Sequence, residues 1–310
     1  MPELVVAVAS SALFDLAESD AVFRDQGTAA YRAWCRARER EPLAPGVAFP
    51  FVRRLLSLNA LDPARPPVEV VLLSRNDPGT GLRVRTSLDH HQLAVKRSVF
   101  TGGRSPWPYL DAFGAQLFLS ANAKDVAEAT AAGRAAGRVL PGGPGDGGTD
   151  DAGDELRVAF DFDGVLADDA SERLNQEQGL AAFHAAERAQ AEVALEPGPL
   201  AGLLKGLARV QERELERENR DGWKRRLIIG IVTARSHPAD RRVITTLRAW
   251  GVQVDFAAFL GDLAKTRVLG AFRPHLFFDD KPANAASASG VVPSVHVPFG
   301  VLNPPAITGG

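Results

Sequence analysis

The sequence contains an internal repeat, which limits its fold more than any other feature. Residues 6–27 align without a gap over residues 158–179, so that Gly27 corresponds to Gly179, 152 positions later. Three further blocks of the first half have similar blocks in the second half, in the same order. These are 41–56 and 195–207, 69–88 and 228–247, and 100–122 and 259–281. Four blocks in one order indicate a duplicated unit.

Each half contains short apolar runs that alternate with helix-forming stretches. The runs are 5–9, 68–73 and 116–119 in the first half, and 158–160, 227–232 and 275–278 in the second. Strands that are apolar along their whole length, separated by helices, are typical of parallel sheets covered on both faces. We therefore predict an α/β fold of two duplicated Rossmann-like units with parallel sheets. Ligands of such units bind beyond the carboxyl ends of the strands.

Residues 141–155 separate the two halves and are rich in Gly, Pro and Asp. A segment of this composition buries too little apolar surface to order itself, so it predicts a flexible linker. The predicted division is a first unit over 1–140 and a second unit over 156–310.

Charge and composition narrow the classes of partner and location. The formal net charge is −2, which gives no reason to expect nucleic acid or an anionic membrane surface as a partner. There is no run of about 18 apolar residues, so no transmembrane helix is predicted. The apolar residues 4–14 lack the preceding basic residues of a signal peptide. Cys35 is the single cysteine, so no intramolecular disulfide is expected, and we predict a cytoplasmic protein.

Two acids follow the first apolar run of the second half. Asp161 and Asp163 are separated by Phe162, and strand residues two positions apart point to the same side. Gly164 lets the backbone leave the strand sharply. Two neighbouring carboxylates can divide their work, because one can attack or bind a metal while the other moves a proton.

Further polar residues stand at three other strand or loop ends of the second half. They are Thr233, Ala234 and Arg235, then Lys265, then Asp279 and Asp280. If these ends meet at one crevice, the carboxylates require a cation among them, and oxygen ligands suit Mg²⁺.

A phosphate group then has a binding site in the same crevice. The Lys265 ammonium, the Thr233 hydroxyl and backbone N–H groups such as that of Ala234 can hold its oxygens. Asp161 can attack phosphorus to give an aspartyl-phosphate. Asp163 can protonate the leaving alkoxide and later accept a proton from water.

The first half keeps the pattern of apolar runs but lacks these charged residues. Uncharged residues stand at the places of the four acids and the lysine: Ala9, Ser11, Pro106, Ser120 and Ala121. We therefore expect the first half to be catalytically silent. Its Gly-rich loops 74–81 and 101–106 either hold a nucleotide, as substrate or regulator, or form tight turns.

The order D-x-D-G-V, an apolar strand ending in T-A-R, a later lysine and F-F-D-D resembles the four motifs of the haloacid-dehalogenase superfamily of phosphatases. Nearly the whole chain is similar to the cytosolic 5'-nucleotidase type I family, which prefers AMP. The similar stretches are EPLAPGVAFPFV, TGLRVRTSLDHHQL, FTGGRSPWPYL, SERLNQEQGL, VTARS, TLRAWGV, RPHLFFDD and VHVPFGV. The resemblance implies haloacid-dehalogenase-like units and a Mg²⁺-dependent 5'-nucleotidase.

The resemblance also implies a role for each site residue. Asp161 would be the nucleophile, and Asp163 would be the acid and base and a metal ligand through its backbone. Thr233 and Lys265 would hold phosphate. The metal site would be completed by Asp279 and Asp280.

One motif departs from that family. Its first motif reads D-G-D-A-V, whereas this chain has Phe162 and Gly164 at the second and fourth places. Both acids are kept, so the difference concerns the shape of the loop and the substrate rather than the chemistry. The linker 141–155 also differs from the family's.

Residues 167–226 lie between the first two motifs and are predicted to form a small helical cap that excludes water. Phe162 and Phe183 are either core aromatics or candidates for stacking on a base, and Arg235 is a candidate substrate contact. The sequence thus predicts a Mg²⁺-dependent phosphatase for nucleoside 5'-monophosphates. The alternatives are a phosphatase for sugar or modified-nucleotide phosphates and a nucleotide-binding regulator. A homo-oligomer is compatible with the sequence.

Overall fold

The computed structural model of the chain describes residues 2–142 and 153–303. The elements of the first half are β1 (Leu4–Val8), α1 (Ser10–Leu13), α2 (Ala17–Ala37), α3 (Phe49–Ser57), β2 (Val68–Ser74), α4 (Gly81–His90), β3 (Arg97–Phe100), α5 (Leu110–Phe113), β4 (Leu117–Ser120), α6 (Ala123–Ala131) and β5 (Ala136–Val139). Those of the second half are β6 (Leu156–Phe160), α7 (Ala170–Ala189), α8 (Ala201–Asp221), β7 (Leu227–Thr233), α9 (Asp240–Ala249), β8 (Phe256–Phe259), α10 (Lys265–Phe272), β9 (Leu276–Asp279), α11 (Pro282–Ser289) and β10 (Ser294–His296). Most of the predicted linker lies outside the described residues.

The ten strands form one mostly parallel sheet in the order β3-β2-β1-β4-β5-β10-β9-β6-β7-β8. Every neighbouring pair is parallel except β5 and β10. Each of the six predicted apolar runs overlaps a strand and extends at most one residue beyond it, and the predicted α/β class is confirmed. None of the helices in residues 2–142 and 153–303 has the length and apolar character needed to cross a membrane.

The antiparallel pair β5 and β10 joins the two halves, and the sequence did not predict it. Val139 lies opposite Val295, and the Leu140 N–H donates to the Ser294 carbonyl at 3.0 Å. A Cβ on Gly137 would lie 2.3 Å from Cγ1 of Val295, so this contact requires glycine. The two halves therefore share one sheet.

The two halves repeat each other in topology and in backbone conformation. β1–β5 and β6–β10 have the same strand order, each counted from its outer edge. α2 and α7 are both interrupted by a glycine with left-handed φ, Gly27 at 77° and Gly179 at 81°. These are the two glycines that the gap-free alignment pairs, so the internal repeat extends to structure.

Alternate residues of the strands face different cores. Leu4, Val6 and Val8 of β1 face a core that continues through both halves and includes α3 and α8. On the opposite face each half has its own core, which contains Ala7 in the first half and Phe277 in the second. Both faces of the sheet are therefore covered, as parallel strands of this apolar character require.

The predicted cap over 167–226 is too long at its C-terminal end. Leu203, Leu207 and Val210 of α8 are fully buried against the sheet, because an apolar helix face of this width packs in the core. α7, by contrast, contributes residues such as Phe183 to the cavity at the strand ends. Because it bends at Gly179, its two arms form a helical hairpin, which we call the cap hairpin (170–189).

Candidate active site

Three acids of the second half meet at the carboxyl ends of two neighbouring strands. Asp161 follows β6, Asp279 ends β9, and Asp280 is the next residue. One carboxylate oxygen of each lies within 4.8 Å of the others, and all three residues are buried. The Asp161 N–H donates to the Phe278 carbonyl at 2.8 Å, which fixes the first motif against the last.

Lys265, the first residue of α10, neutralises part of this charge. Its Nζ lies 2.5 Å from Oδ2 of Asp161 and 2.6 Å from Oδ2 of Asp279. Although burial opposes its charge, these two carboxylates raise the pKa of Lys265 above its usual value. The structure thus brings together the predicted nucleophile, the predicted lysine and both acids of the last motif.

Burial disfavours the ionised form of two of these acids. It raises the pKa of Asp161 to about 6, with Lys265 opposing the rise and Asp279 adding to it. It raises the pKa of Asp280 to about 8, and the charges of Asp161 and Asp279 add to this rise. A further cation beside Asp161 and Asp280 would favour their ionised forms.

The donor set fits a divalent metal ion. Oδ1 of Asp280 is buried and has no hydrogen-bond partner among the described residues, although buried polar atoms are normally satisfied. When ionised, the three carboxylates and the Lys265 ammonium leave a formal charge of −2, which one divalent cation balances. Hard oxygen ligands of this kind suit such an ion. Asp161, Asp279 and Asp280 can therefore hold a metal.

The carboxylate of Asp163 does not join the other acids. Its Oδ1 accepts from Nη2 of Arg235 and its Oδ2 accepts from Nε of Arg235, both at 2.7 Å. The planar guanidinium group donates to both carboxylate oxygens, and this two-point contact holds the Asp163 side chain on Arg235 rather than on Lys265. The prediction that Asp163 belongs to the metal site therefore rests on its backbone alone.

Thr233 is the last residue of β7, beside the acids, and Ala234 follows it. Thr233 is buried, and its Oγ1 accepts from the backbone N–H of Arg235 at 3.2 Å. Ala234 is exposed on the wall of the cavity above the acids. Their predicted contact with phosphate stays a prediction, and their position next to Asp161 and Asp163 is compatible with it.

A cavity of about 520 Å³ opens above these residues, within the range of small-molecule sites. The cap hairpin forms one wall of it, with Glu172, Asn175, Leu180, Phe183 and His184. Lys281 directly follows the last motif, and its Nζ lies 3.1 Å from Oε2 of Glu172 in the cap hairpin. The cavity thus combines a charged floor with a partly apolar wall.

A larger cavity of about 940 Å³ lies at the opposite edge of the sheet, where the strands begin. Several of its charged side chains form ion pairs: Arg213, for example, pairs with Asp62 at 2.9 Å and with Glu3 at 3.4 Å. Ligands of parallel sheets bind at the carboxyl ends of the strands, so the cavity above the acids is the candidate active site.

A family model described as 5'-nucleotidase matches residues 1–304. The chain belongs to the 5'-nucleotidase family. Human cytosolic 5'-nucleotidase 1B is 35% identical over 285 residues, which are 89% of this chain and 46% of the human protein. The chain thus spans about half the length of this relative. No solved structure matches the chain at a significant level.

Membership of the 5'-nucleotidase family confirms the predicted family. The predicted activity, phosphoric monoester hydrolysis, and the ester it acts on stay predictions, because the chain spans about half the length of the human relative.

Of the two phenylalanines predicted to stack on a base, only Phe183 lines the cavity. Phe162 is fully buried, with its ring centre 6.5 Å from that of Trp250. It stands between two acids, so alternation turns its side chain away from the cavity and into the core. The prediction that Phe162 contacts a base is therefore wrong.

Arg235 also has a different environment from the one expected of a substrate contact. It lines the cavity, but its side chain is only 2% exposed, and its guanidinium is bound by Asp163 and Glu187. Sequence reasoning missed Glu187, a buried acid at the end of the cap hairpin. The internal repeat could have indicated Glu187, because Cys35 stands at the corresponding place of the first half, 152 positions earlier, and carries no such charge.

The corresponding strand ends of the first half are closed by internal contacts. Arg75 donates to both carboxylate oxygens of Asp125 and to the carbonyl of Gly103. The Gly102 N–H donates to the Asn76 carbonyl at 3.0 Å, so loops 74–81 and 101–106 bind each other. This is the tight-turn alternative, and a regulator in this half stays a prediction.

Proposed function

We propose that this chain hydrolyses nucleoside 5'-monophosphates to nucleoside and phosphate, with Mg²⁺ as cofactor and Asp161 as nucleophile. The observation that carries the proposal is the cluster of Asp161, Asp279, Asp280 and Lys265 at the floor of a cavity. The family and the human relative's name support a nucleotide as the phosphate ester. That name also supports a cytoplasmic location.

The wall of the cavity favours a nucleotide over a sugar phosphate. Leu180 and Phe183 offer apolar and aromatic surface, which a base can stack on. Asn175 and His184 offer polar groups beside them. A sugar phosphate would leave the apolar side chains without a partner.

Asp161 is oriented for attack on phosphorus. Its Oδ1 accepts from the Phe162 N–H at 2.7 Å, and its Oδ2 is bound by Lys265. In the proposed first step an Asp161 oxygen forms a bond to phosphorus and the bond from phosphorus to the 5' oxygen breaks. Lys265 and Thr233 stabilise the charge on the remaining phosphate oxygens.

Asp163 moves the protons in both steps. It gives a proton to the departing 5' oxygen, so that the nucleoside leaves as an alcohol. It then accepts a proton from the water that attacks the aspartyl-phosphate. This second attack releases phosphate and restores the Asp161 carboxylate.

Mg²⁺ would be held by Asp161, Asp279 and Asp280, where it would supply positive charge to a phosphate oxygen and to the acids. Asp280, whose Oδ1 is otherwise unsatisfied, is the residue most dependent on it.

The test is phosphate release from a panel of AMP, the other nucleoside 5'-monophosphates and ribose 5-phosphate, each with Mg²⁺ and with EDTA. We expect release from nucleotides that depends on Mg²⁺ and exceeds release from ribose 5-phosphate. Equal or faster release from the sugar phosphate would favour the sugar phosphatase. Nucleotide binding without release from any ester would favour the regulator and contradict the proposal.

A further inference from the structure

We infer that Arg235 is a positioning residue, which holds Asp163 at the cavity and connects it through Glu187 to the cap hairpin. The inference rests on the proposed function, because it assigns Asp163 the proton transfer. It adds a residue from the second motif that acts through the acid rather than on phosphate.

The contacts of Arg235 leave its guanidinium little freedom. Nε and Nη2 donate to the two oxygens of Asp163, and Nη1 donates to Oε2 of Glu187. Cζ lies 5.5 Å from the ring centre of Phe162 and 5.5 Å from that of Phe183. A planar cation between two rings, with donors used on two sides, is fixed in both position and orientation.

Glu187 is itself fixed at the base of the cap hairpin. Oε1 accepts from Oγ of Ser171 at 2.9 Å and from Nη1 of Arg242 at 3.0 Å. Ser171 lies in the first arm of the hairpin and Glu187 in the second. The chain of contacts from Asp163 through Arg235 to Glu187 therefore joins the first motif, the second motif and both arms of the cap hairpin.

A comparison of the two halves distinguishes contacts that serve the fold from contacts that serve Asp163. The flanking residues have equivalents in the first half: Ser171 corresponds to Ser19 and Arg242 to Arg83. The two arginines even make the same bond, because Arg83 donates to the Glu41 carbonyl at 2.9 Å and Arg242 to the Val193 carbonyl at 2.8 Å.

The three residues of the connection itself have no such equivalents. Ser11, Asn76 and Cys35 stand at the places of Asp163, Arg235 and Glu187. In the first half Oη of Tyr31 instead donates to Oδ1 of Asn76 at 3.1 Å, a connection without charged groups. The charged connection is made by the half that carries the acids, which supports a role for it in their chemistry.

The physical effect of Arg235 is to hold the Asp163 carboxylate in place. Lys265 lies close to Asp161 and would attract a mobile Asp163 carboxylate into the metal site. Arg235 keeps that carboxylate at the wall of the cavity, from which the proposed mechanism requires it to reach the leaving oxygen. Because proton transfer requires hydrogen-bond contact, a displacement of about 1 Å is enough to cost about 100-fold in rate.

The experiment compares Arg235→Lys with the wild-type chain on two esters. One is a nucleoside 5'-monophosphate, and the other is the same nucleotide with sulfur in place of the bridging 5' oxygen. The alkoxide needs a proton in order to leave, whereas the thiolate leaves without one. Release of the nucleoside or its thiol is followed in a single turnover with enzyme in excess, which isolates the first step.

We expect Arg235→Lys to slow release from the oxygen ester by about 100-fold or more and release from the sulfur ester by less than about threefold. Lysine keeps the charge but not the two-point contact. Glu187→Gln, which does not touch Asp163, should cause a smaller loss with the same selectivity for the oxygen ester. Because the two residues act in one connection, the double variant should be no slower than Arg235→Lys.

Arg213→Lys is the matched control, since Arg213 also bridges two acids but lies at the opposite edge of the sheet. It should leave both rates unchanged. Equal losses on the two esters, or no loss on either, in a folded Arg235→Lys chain would overturn the inference alone. A wild-type chain that cleaves neither ester would overturn the proposed function as well.

Discussion

The α-carbon of Gly164 lies against the carboxylate of Asp280, so closely that a Cβ on Gly164 would be 2.5 Å from Oδ2 of Asp280. The same glycine has a φ of 71°, in the left-handed region. One residue therefore turns the chain after the first motif and leaves room for the last acid of the site.

Gly164→Ala should weaken metal binding. The added methyl group displaces Asp280, and the left-handed backbone costs about 1–2 kcal/mol with a side chain present. We expect the Mg²⁺ concentration for half-maximal activity to rise by about tenfold or more, with KM for nucleotide at saturating Mg²⁺ little changed. Gly202→Ala, on α8 with no atom near its Cβ, is the control. Unchanged Mg²⁺ dependence in Gly164→Ala would contradict this role.

Because Asp280 is buried, we expect Mg²⁺ to stabilise the protein more at pH 8 than at pH 6. Its pKa rises from 3.8 to about 8 on folding, chiefly through burial. Between about pH 4 and pH 8 the folded, metal-free protein keeps a proton that the unfolded chain has lost, so this contribution to stability falls as pH rises. Mg²⁺ binds the ionised acid. We expect the increase in Tm from EDTA to Mg²⁺ to be larger at pH 8 than at pH 6.

Asp280→Asn is the control for that measurement, because the amide does not titrate. The variant should lose most of the Mg²⁺-dependent increase at both pH values, and its metal-free form should melt at pH 8 at least as high as the wild type. A full Mg²⁺-dependent increase in this variant would remove Asp280 from the metal site.

Lys265→Met should destabilise the metal-free protein. It leaves Asp161 and Asp279 buried without their cation, and loss of one partner from a buried pair typically costs about 3–5 kcal/mol. We expect the free energy of unfolding in urea with EDTA to fall by about that amount, and Mg²⁺ to restore part of it. Lys124→Met, at an exposed pair with Glu128, should change it by less than about 0.5 kcal/mol. Equal effects of the two substitutions would contradict the account.

Phe183→Ala should weaken recognition of the base. Stacking of a base on an aromatic ring is worth about 1–3 kcal/mol, so we expect KM for AMP to rise by about tenfold. KM for ribose 5-phosphate, which has no base, should not change. Phe23→Ala, at an exposed phenylalanine of the first half, should leave both values unchanged. Equal increases for both substrates would indicate that Phe183 acts through the fold.

The strands and the acid cluster could be predicted from the sequence because each depends on local pattern. An apolar run such as 227–232 becomes a buried strand in most tertiary contexts. Once the strands are parallel, Asp161 and Asp279 must meet at one edge of the sheet. Lys265 was predictable on the same basis, since it begins α10, the helix before β9.

Features that depend on packing between distant segments were not predictable in this way. β10 is only three residues long, and its pairing with β5 depends on a contact between Gly137 and Val295. Phe162 and Arg235 lie in the predicted motifs, but the core and Glu187 determine where their side chains point. The predicted cap over 167–226 is longer than the cap hairpin because it includes α8, whose apolar face packs on the sheet.

The most direct test of the central claim is phosphate release from AMP by the Asp161→Asn variant with saturating Mg²⁺. The amide keeps the size of the side chain but cannot attack phosphorus, so we expect release to fall by about 1,000-fold or more while the variant still unfolds cooperatively. Phosphate release from Asp161→Asn at a rate near that of the wild type would contradict the assignment of the nucleophile and the mechanism built on it.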